Sequence, residues 1–315
     1  MSYPPSDVTV VIPAYGECPH LVEVVRALVT QSSLAKEIIV VHSGPNDPTE
    51  RIGHLCSNLR IVHEDRRIIA GAARNIGVEY AESKWIAFLD SDVLPDPDWL
   101  LTLLNAANEA PNRFVVGSLG YARTGGYWGL VLWAIEFSGI HPYIPDGEVQ
   151  GGASANMLVP REAFRHVAGF NERFAAGEDS LLAADLRELG LTNWFCAAAR
   201  GRHFNVKGMR HCLGHQCWLG HWGALCRRVH PLRGALAVKF WPFAAGLWAA
   251  KFFLTYYRVF RWGRGYRLRF LALAPGIFLG LFSWNLGFLH GLSKDVRSLI
   301  ADEGKEIGRY ATGRE

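Results

Sequence analysis

Apolar runs and segments with a helical period alternate along the first two hundred residues. The mainly apolar runs predict buried strands at Val8–Pro13, Glu37–Val41, Leu59–His63, Trp85–Leu89, Phe114–Ser118 and Met157–Pro160. Apolar residues three and four apart predict helices at Leu21–Val29, Ala70–Glu82, Trp99–Asn108 and Ser180–Leu189. This alternation gives right-handed crossovers, so it predicts an α/β fold with a mostly parallel, Rossmann-like sheet flanked by helices. The aromatic-rich insertion Gly125–Ile144 has no readable period.

Two carboxylates follow the strand predicted at Trp85–Leu89. Asp90 and Asp92 are separated only by Ser91. Ligands of open α/β sheets bind beyond the carboxyl ends of the strands, and Mg²⁺ takes carboxylate oxygens together with substrate phosphates. The spacing therefore suggests a site for a metal and a diphosphate, although Asp and Ser are also ordinary turn and capping residues.

Charge is distributed unevenly along the 315 residues. Residues 1–199 contain 14 Lys and Arg against 24 Asp and Glu, whereas residues 200–315 contain 19 against 5. No carboxylate occurs between Glu188 and Asp295. Because a basic segment favours an anionic partner, we divide the chain into an α/β domain over residues 1–210 and a basic, apolar helical region over residues 211–315.

Two apolar stretches in the basic region favour a membrane over nucleic acid as that partner. Phe270–Leu292 is long enough to cross a hydrocarbon core but contains Pro275. Ala235–Tyr257 is rich in aromatic residues, as in a helix lying in the interface. A two-span hairpin would place five arginines outside, against the positive-inside tendency: Arg258, Arg261, Arg264, Arg267 and Arg269. We expect a C-terminal helical, membrane-associated segment that lies on or dips into the cytoplasmic leaflet, with a buried helical subdomain as the alternative.

The N-terminus and the cysteines agree with a cytosolic location. Met1–Asp7 is polar, and Val8–Tyr15 is too short for a signal peptide and lacks a basic start. Six cysteines show no secreted framework, so we expect reduced thiols. The His and Cys residues between His211 and His221 are of the types that bind zinc, but their spacing matches no standard finger and favours packing roles.

Five sequence blocks, in order, resemble the signature of family 2 glycosyltransferases. They are Val11–Glu17, Glu37–Val41, Gly71–Gly77, Phe88–Asp92, and Gly169–Glu172 with Gly177–Asp179. The resemblance extends over residues 8–205. It implies a GT-A fold, a nucleotide-sugar donor, a Mg²⁺ or Mn²⁺ cofactor, and sugar transfer with inversion.

The resemblance also implies a role for each matching acidic residue. Asp92 would bind the metal that neutralises the diphosphate leaving group, with Asp90 near the ribose or the metal's water shell. Asp179 would be the general base, with Glu178 beside it. Both residues also suit the first turn of a helix. His203 would lie near the metal, although Mg²⁺ prefers oxygen ligands.

A donor pocket is implied near the ends of the first strands. Its implied members are Pro13, Ala14, Tyr15, Glu17, Ser43, Arg74, Asp90, Ser91 and Asn156. Arg74 would contact the nucleotide or its phosphates, unless it is a solvated arginine on a helix face, and Asn75 would steady the adjoining loop. Asn156 follows a glycine-rich turn and is a secondary candidate for the donor sugar or the acceptor.

One departure from the family pattern concerns the base. Relatives usually carry two adjacent aspartates after the second strand, where this chain has His42 and Ser43. A hydroxyl hydrogen-bonds a base edge without adding charge, and Asp47 is an alternative reader. UDP, GDP and dTDP sugars therefore all stay open.

The first hypothesis is an inverting, metal-dependent glycosyltransferase at the cytoplasmic face of a bacterial inner membrane. Its acceptor would be lipid-linked or a polysaccharide, and nucleic acid is not an expected partner. The alternative is a membrane-bound scaffold that keeps the fold without the chemistry, motivated by His42 and Ser43. A nucleotidyltransferase would need a Gly-rich, basic phosphate loop, which Pro13–Pro19 does not offer.

Overall fold

A computed structural model describes residues 6–122, 125–205, 208–262 and 267–294. The chain divides into two compact units with interleaved segments. The first comprises Met1–Gly120, Pro145–Glu172 and Leu182–His203, and the second comprises Tyr121–Ile144, Arg173–Leu181 and Phe204–Glu315. The second unit thus includes two segments, Tyr121–Ile144 and Arg173–Leu181, that lie within the predicted domain 1–210. Arg264 of the predicted membrane-facing arginines lies outside the described residues, as does the chain after residue 294.

The first unit is built on one mixed sheet. Its nine strands in the described residues are β1 (Ser6–Tyr15), β2 (Ala35–Ser43), β3 (Leu59–Glu64), β4 (Trp85–Leu89), β5 (Val93–Pro95), β6 (Arg113–Tyr121), β7 (Gly147–Glu148), β8 (Asn156–Pro160) and β9 (Thr192–His203). They run in the order β3-β2-β1-β4-β8-β6-β9-β5, with β7 beside β9. The pairs of β1 with β2 and β4, and of β2 with β3, are parallel. β8 is antiparallel to β4 and β6, and β9 to β5 and β7. The α/β prediction is confirmed, but the sheet is parallel only in its first half.

The helices include several whose bounds the sequence period predicts. They are α1 (Leu21–Val29), α2 (Thr49–Ile52), α3 (Ala70–Tyr80), α4 (Trp99–Asn108), α5 (Gly126–Phe137), α6 (Arg161–His166), α7 (Glu178–Glu188), α8 (Met209–Val229), α9 (Leu236–Lys239), α10 (Trp241–Trp262) and α11 (Arg267–Ser293). The unreadable insertion thus contains α5, which is buried from Gly129 to Ile135. A helix buried all round has no polar stripe and no amphipathic period.

Close packing of α3 on β1 sets the position of the residues that follow the parallel strands. A Cβ at Gly77 would lie 2.4 Å from Cγ1 of Val11, so only glycine permits this approach. Val11 belongs to the fully buried part of β1. Because a helix after a parallel strand returns across the sheet from its carboxyl edge, Arg74 and Asn75 in the first turns of α3 are brought to that edge.

The second unit is helical, and two of its apolar clusters involve α11. One joins α5 and α11 through Val131, Ile277 and Leu281, and the other joins α8 and α11 through Ala224 and Phe288. Among the described residues, only α11 is long and apolar enough to cross a membrane by length and composition, and 50% of its apolar window is buried within the protein.

Candidate functional site

Strand pairing brings two carboxylates and one imidazole together beyond the end of β4. Asp90 and Asp92 follow β4 directly, and the next strand, β5, pairs with β9 so that Val93 lies opposite His203. His203 Nε2 lies 3.6 Å from Oδ1 of Asp92. One ligand atom from each of Asp90, Asp92 and His203 lies within 4.8 Å of the others. The three residues predicted around a metal therefore converge.

The chemistry of these three groups fits a divalent cation. Loss of solvation and the neighbouring Asp90 raise the pKa of Asp92, while His203 lowers it. The side chain of Asp92 is 40% exposed, so a ligand can approach it. Two carboxylates close together disfavour each other's charge, and a cation between them would relieve that repulsion. Carboxylate oxygens suit Mg²⁺ and Mn²⁺, and neutral imidazole is an additional ligand for transition metals.

Arg74 forms a partly buried ion pair with Asp90. Its side chain is only 4% exposed, and Nη2 donates a 2.6 Å hydrogen bond to Oδ1 of Asp90. Its guanidinium also lies 5.3 Å from the ring centroid of Phe170. The alternative of a solvated arginine on a helix face is therefore wrong. The predicted contact of Arg74 with the nucleotide or its phosphates stays a prediction, and the observed partner of the guanidinium is the Asp90 carboxylate.

Asn75 links α3 to the loop that precedes the second acidic block. Its Nδ2 donates to the carbonyl oxygen of Phe170 at 2.8 Å, and its Oδ1 accepts from the Phe170 amide at 2.9 Å. Its Nδ2 also lies 2.9 Å from Oε1 of Glu172. These bonds confirm that Asn75 steadies a loop.

The end of β1 presents an exposed aromatic ring. Pro13 and Ala14 are buried in β1, whereas Tyr15 is 46% exposed and Glu17 is exposed. The guanidinium of Arg67 lies 4.6 Å from the Tyr15 ring centroid. Sequence analysis missed Arg67, and the only signal for it is its position in a basic pair shortly before α3. A flat aromatic and guanidinium surface of this kind suits stacking with a base.

Cys18 connects the end of β1 to the acidic turn. Its Sγ accepts from the Tyr15 amide at 3.1 Å, and Ser91 Oγ donates to it at 3.8 Å. Burial raises the pKa of the Cys18 thiol. The predicted pocket residue Ser91 therefore contacts a thiol that sequence analysis did not single out.

The departure from the family's aspartate pair lies inside the sheet. His42 is fully buried, its Nε2 donates to the carbonyl oxygen of Gly16 at 2.8 Å, and its Nδ1 lies 3.0 Å from Nδ1 of His63. Next to it, Ser43 is buried and its Oγ has no hydrogen-bond partner among the described residues. His42 thus has a structural partner on each nitrogen, while the Ser43 hydroxyl keeps an unused donor and acceptor.

Two other predicted donor contacts have structural partners. Asn156 is fully buried, and its Nδ2 donates to the carbonyl oxygens of Ser118 and Ala199 at 3.0 Å while its Oδ1 accepts from Nε1 of Trp99 at 2.7 Å. The sequence prediction is therefore corrected, because this amide joins the sheet to α4 and is not exposed to a ligand. Asp47 accepts from both the amide and the hydroxyl of Thr49 at 2.8 and 2.6 Å. These bonds lower the pKa of Asp47.

The second acidic block belongs to the other unit. Glu178 and Asp179 form the first turn of α7, and the Ser180 amide donates to Asp179 Oδ1 at 2.6 Å. Anions are favoured at a helix N-terminus. Just before them, the thiol of Cys226 on α8 donates to the carbonyl oxygen of Ala176 at 3.4 Å. Burial, then the charges of Glu178 and Asp179, raise the pKa of Cys226 to about 12, so this thiol stays neutral.

Comparison with known proteins fixes the family. A sequence profile described as Glycosyl transferase family 2 matches residues 9–168, about half of the chain. The chain belongs to glycosyltransferase family 2. Its relatives include the pre-mycofactocin glycosyltransferase of Mycobacterium tuberculosis, 31% identical over 237 residues, which are 71% of this chain and 48% of that protein. The succinoglycan biosynthesis protein ExoO of Rhizobium meliloti is 31% identical over 36% of this chain and 33% of that protein. The chain thus spans about half the length of the mycobacterial relative.

Two solved structures share the fold of this chain. The mannosyltransferase PcManGT from Pyrobaculum calidifontis, in complex with GDP-Man and Mn²⁺, aligns with a TM-score of 0.59 and 17% identity over 91% of this chain and 88% of that one. Residues 1–349 of TarS from S. aureus align with a TM-score of 0.53 and 13% identity over 90% and 91% of the two chains. The predicted GT-A fold is confirmed.

Proposed function

We propose that this protein is an inverting, metal-dependent glycosyltransferase that moves a sugar from a nucleotide-diphosphate sugar to a hydroxyl acceptor. One observation carries the proposal: Asp90, Asp92 and His203 converge beyond β4 in a chain of glycosyltransferase family 2. Ligands of α/β folds bind at this edge of the sheet. The names of its relatives and structural neighbours, which are transferases of sugars, support the same reaction class.

Asp92, Asp90 and His203 would hold the metal, Mg²⁺ or Mn²⁺. When bound, such a cation neutralises the charge that develops on the departing diphosphate, as a Lewis acid does. Arg74 fixes the orientation of Asp90, because its buried guanidinium donates to one carboxylate oxygen. Residues behind the ligands commonly set their orientation and tune metal affinity in this way.

The donor's base would lie near the ends of β1 and β2. Tyr15 offers an exposed ring backed by Arg67, and Ser43 offers a hydroxyl without a partner among the described residues. Pro13, Ala14 and Glu17 belong to the same strand end. A neutral hydroxyl is compatible with uracil, guanine and thymine alike, since each presents hydrogen-bonding groups on its edge.

Asp179 would act as the general base that accepts the proton of the acceptor hydroxyl as it attacks the anomeric carbon. Direct attack from the face opposite the diphosphate inverts that carbon and needs no covalent enzyme intermediate. Asp179 lies in the first turn of α7, where the helix dipole favours an acidic side chain. Glu178 is buried beside it at the same helix end.

The acceptor is proposed to be lipid-linked or a polysaccharide, met at the cytoplasmic face of the inner membrane. The support comes from α10 and α11, which expose large apolar side chains such as Trp241, Phe253 and Leu268 to 75%, 70% and 84%. The described arginines Arg258, Arg261, Arg267 and Arg269 would meet anionic headgroups. ExoO, one of the relatives, is a succinoglycan biosynthesis protein by name, which agrees with a glycan acceptor.

The test is turnover of a panel of UDP, GDP and dTDP sugars with Mn²⁺ or Mg²⁺, read as released nucleotide diphosphate. We expect one donor class to turn over, with activity lost on metal chelation and in Asp92→Asn. Asp98→Asn is the matched control, because Asp98 is exposed nearby and makes no side-chain cap for α4. The anomeric configuration of the product, measured by NMR, tests inversion. Absence of both turnover and metal-dependent nucleotide binding would instead favour the scaffold alternative.

A further inference from the structure

Three cationic side chains of the second unit make no ion pair with any residue that the structure describes. Arg227 lies on α8, and Lys251 and Arg258 lie on α10. Among the described residues, none of the three makes an ion pair, and the Lys251 ammonium donates no hydrogen bond. The sequence contains no Asp or Glu between Glu188 and Asp295, so these helices offer no local carboxylate.

Two of these cations are held over a pair of stacked rings. Nζ of Lys251 lies 3.8 Å from the ring centroid of Trp284, and the Arg227 guanidinium lies 6.0 Å from that of Phe288. The two rings stack with their centroids 5.1 Å apart. Aromatic faces attract cations, so α11 supports both side chains on one surface.

Hydrogen bonds fix the direction of Arg227. Its Nη1 donates to the carbonyl oxygen of Gly223 at 2.7 Å, and its Nε donates to that of Arg233 at 2.9 Å. A guanidinium has five N–H donors, so donors remain after these two bonds. The side chain is therefore already ordered before any ligand arrives.

The cations are close enough to repel one another. Burial, then the charges of Arg227 and Arg258, lower the pKa of Lys251 to about 7. Glu136 is the one described carboxylate that favours the charged form of Lys251, and it is engaged elsewhere. It accepts from Nε2 of Gln216 at 2.6 Å and lies 3.3 Å from Nε2 of His215. Partly buried like charges without a counter-ion are unfavourable. A bound anion would offset the electrostatic repulsion between these cations.

We propose that Lys251 and Arg227 form a binding site for the phosphate group of an anionic lipid headgroup. A lipid is favoured over a soluble phosphate because α9 and α10 expose Leu236, Phe243 and Phe253, which would lie among acyl chains. Arginine and lysine are the usual partners of phosphate oxygens. The inference rests on the proposed function. The lipid phosphate site shares no residue with the proposed metal site or the proposed donor site.

The first experiment measures acylation of Lys251 in the wild-type protein by an amine-reactive ester at pH 7.5, read by peptide mass spectrometry. We expect vesicles of phosphatidylcholine with phosphatidic acid to slow the reaction about threefold, as raising the pKa of the amine from about 7 to about 8 would at pH 7.5. Pure phosphatidylcholine vesicles should give little protection. Equal protection by vesicles given the same charge with oleate would overturn phosphate recognition. Equal protection by soluble pyrophosphate alone would overturn the lipid assignment.

The second experiment compares vesicle flotation of Lys251→Gln and Arg227→Gln with that of Lys239→Gln. Lys239 is an exposed lysine on α9 and is the charge-matched control. We expect the first two variants to lose about tenfold in affinity for phosphatidic acid vesicles, the scale of one charged hydrogen bond, and the control to bind as wild type. Equal losses in all three would overturn the site. Donor turnover in detergent is measured separately, so a failed lipid site with intact turnover is distinguishable from a failed glycosyltransferase.

Discussion

Nη2 of Arg74 donates a 2.6 Å hydrogen bond to Oδ1 of Asp90, from a guanidinium that is almost entirely buried. The arginine comes from the third block of the family signature and the aspartate from the fourth, at the end of β4. One block therefore orients a side chain of another. The same helix turn carries Asn75, whose amide fixes the Phe170 loop, so α3 positions two parts of the site at once.

Replacing Arg74 should weaken metal binding without removing the ligands. We expect Arg74→Met to raise the Mn²⁺ concentration needed for half-maximal activity by about 10- to 100-fold, the usual effect of losing the partner of a ligating carboxylate. Arg26→Met, at an exposed position on α1, is the control and should behave as wild type. A cycle with Asp90→Asn checks the cause. If the two effects simply add, the residues do not act as a pair.

Asp92 should destabilise the metal-free protein at neutral pH. Its pKa is raised in the folded state, so its contribution to stability is present below the unfolded value and is lost as the pH rises through the folded value. Asp92→Asn, which mimics the protonated acid, should therefore melt at the same temperature as the metal-free wild type or above it at pH 7. Saturating Mn²⁺ at a hundredfold excess over Kd adds about 2.7 kcal/mol to the wild type. Calorimetry that found the same metal-induced shift in Asp92→Asn would contradict this role.

The local hydrophobic period of the sequence predicts the bounds of some helices and strands but not of others. The observed bounds of α1, α4 and β4 are those predicted, because Leu21–Val29 and Trp99–Asn108 each have one apolar face and Trp85–Leu89 is apolar throughout. The extra residues of β1 and β2 were not predictable in this way. Tyr15 and Ser43 extend these strands because they pair with each other across the parallel ladder.

The sequence predicts site residues well where the functional side chains are close together along the chain. Asp90 and Asp92 are separated by one residue and directly follow a strand that the apolar run predicts. By contrast, the position of His203 depends on the antiparallel register of β5 and β9, more than one hundred residues apart in sequence. Asn156 illustrates the converse: the glycine-rich turn before it predicts a ligand contact, but its side chain bonds three groups within the fold.

Glycines allow α8 and α11 to touch backbone to backbone. A Cβ at Gly220 would lie 1.8 Å from the carbonyl oxygen of Trp284, and one at Gly287 would lie equally close to that of Cys217. We expect Gly220→Ala to lower the free energy of unfolding by about 1–3 kcal/mol, as overpacking does. Gly214→Ala is the matched control on α8, since nothing lies within 4 Å of its Cβ. Its greater helix propensity should stabilise by about 0.8–1 kcal/mol. Denaturant unfolding of the two variants tests the contact, and similar results would argue against it.

The loop before Asp179 depends on the fit between Gly177 and Cys226. Gly177 has φ +81°, and a Cβ there would lie 2.8 Å from the Cys226 Sγ. Gly177→Ala should therefore displace the proposed base two residues later and lower kcat roughly tenfold or more, because small misplacements of catalytic groups are costly. The KM for the donor should change little, since Gly177 is not among the proposed donor-binding residues.

Gly190→Ala is the control for Gly177→Ala. Gly190 also has a positive φ, +94°, but no atom lies within 4 Å of a Cβ placed there, so this variant has the backbone strain without a steric clash. It should lose stability but keep kcat, and Cys226→Ala should restore part of the kcat of Gly177→Ala. A Gly177→Ala enzyme with unchanged kcat would show that Asp179 is not the base or that the thiol does not constrain it.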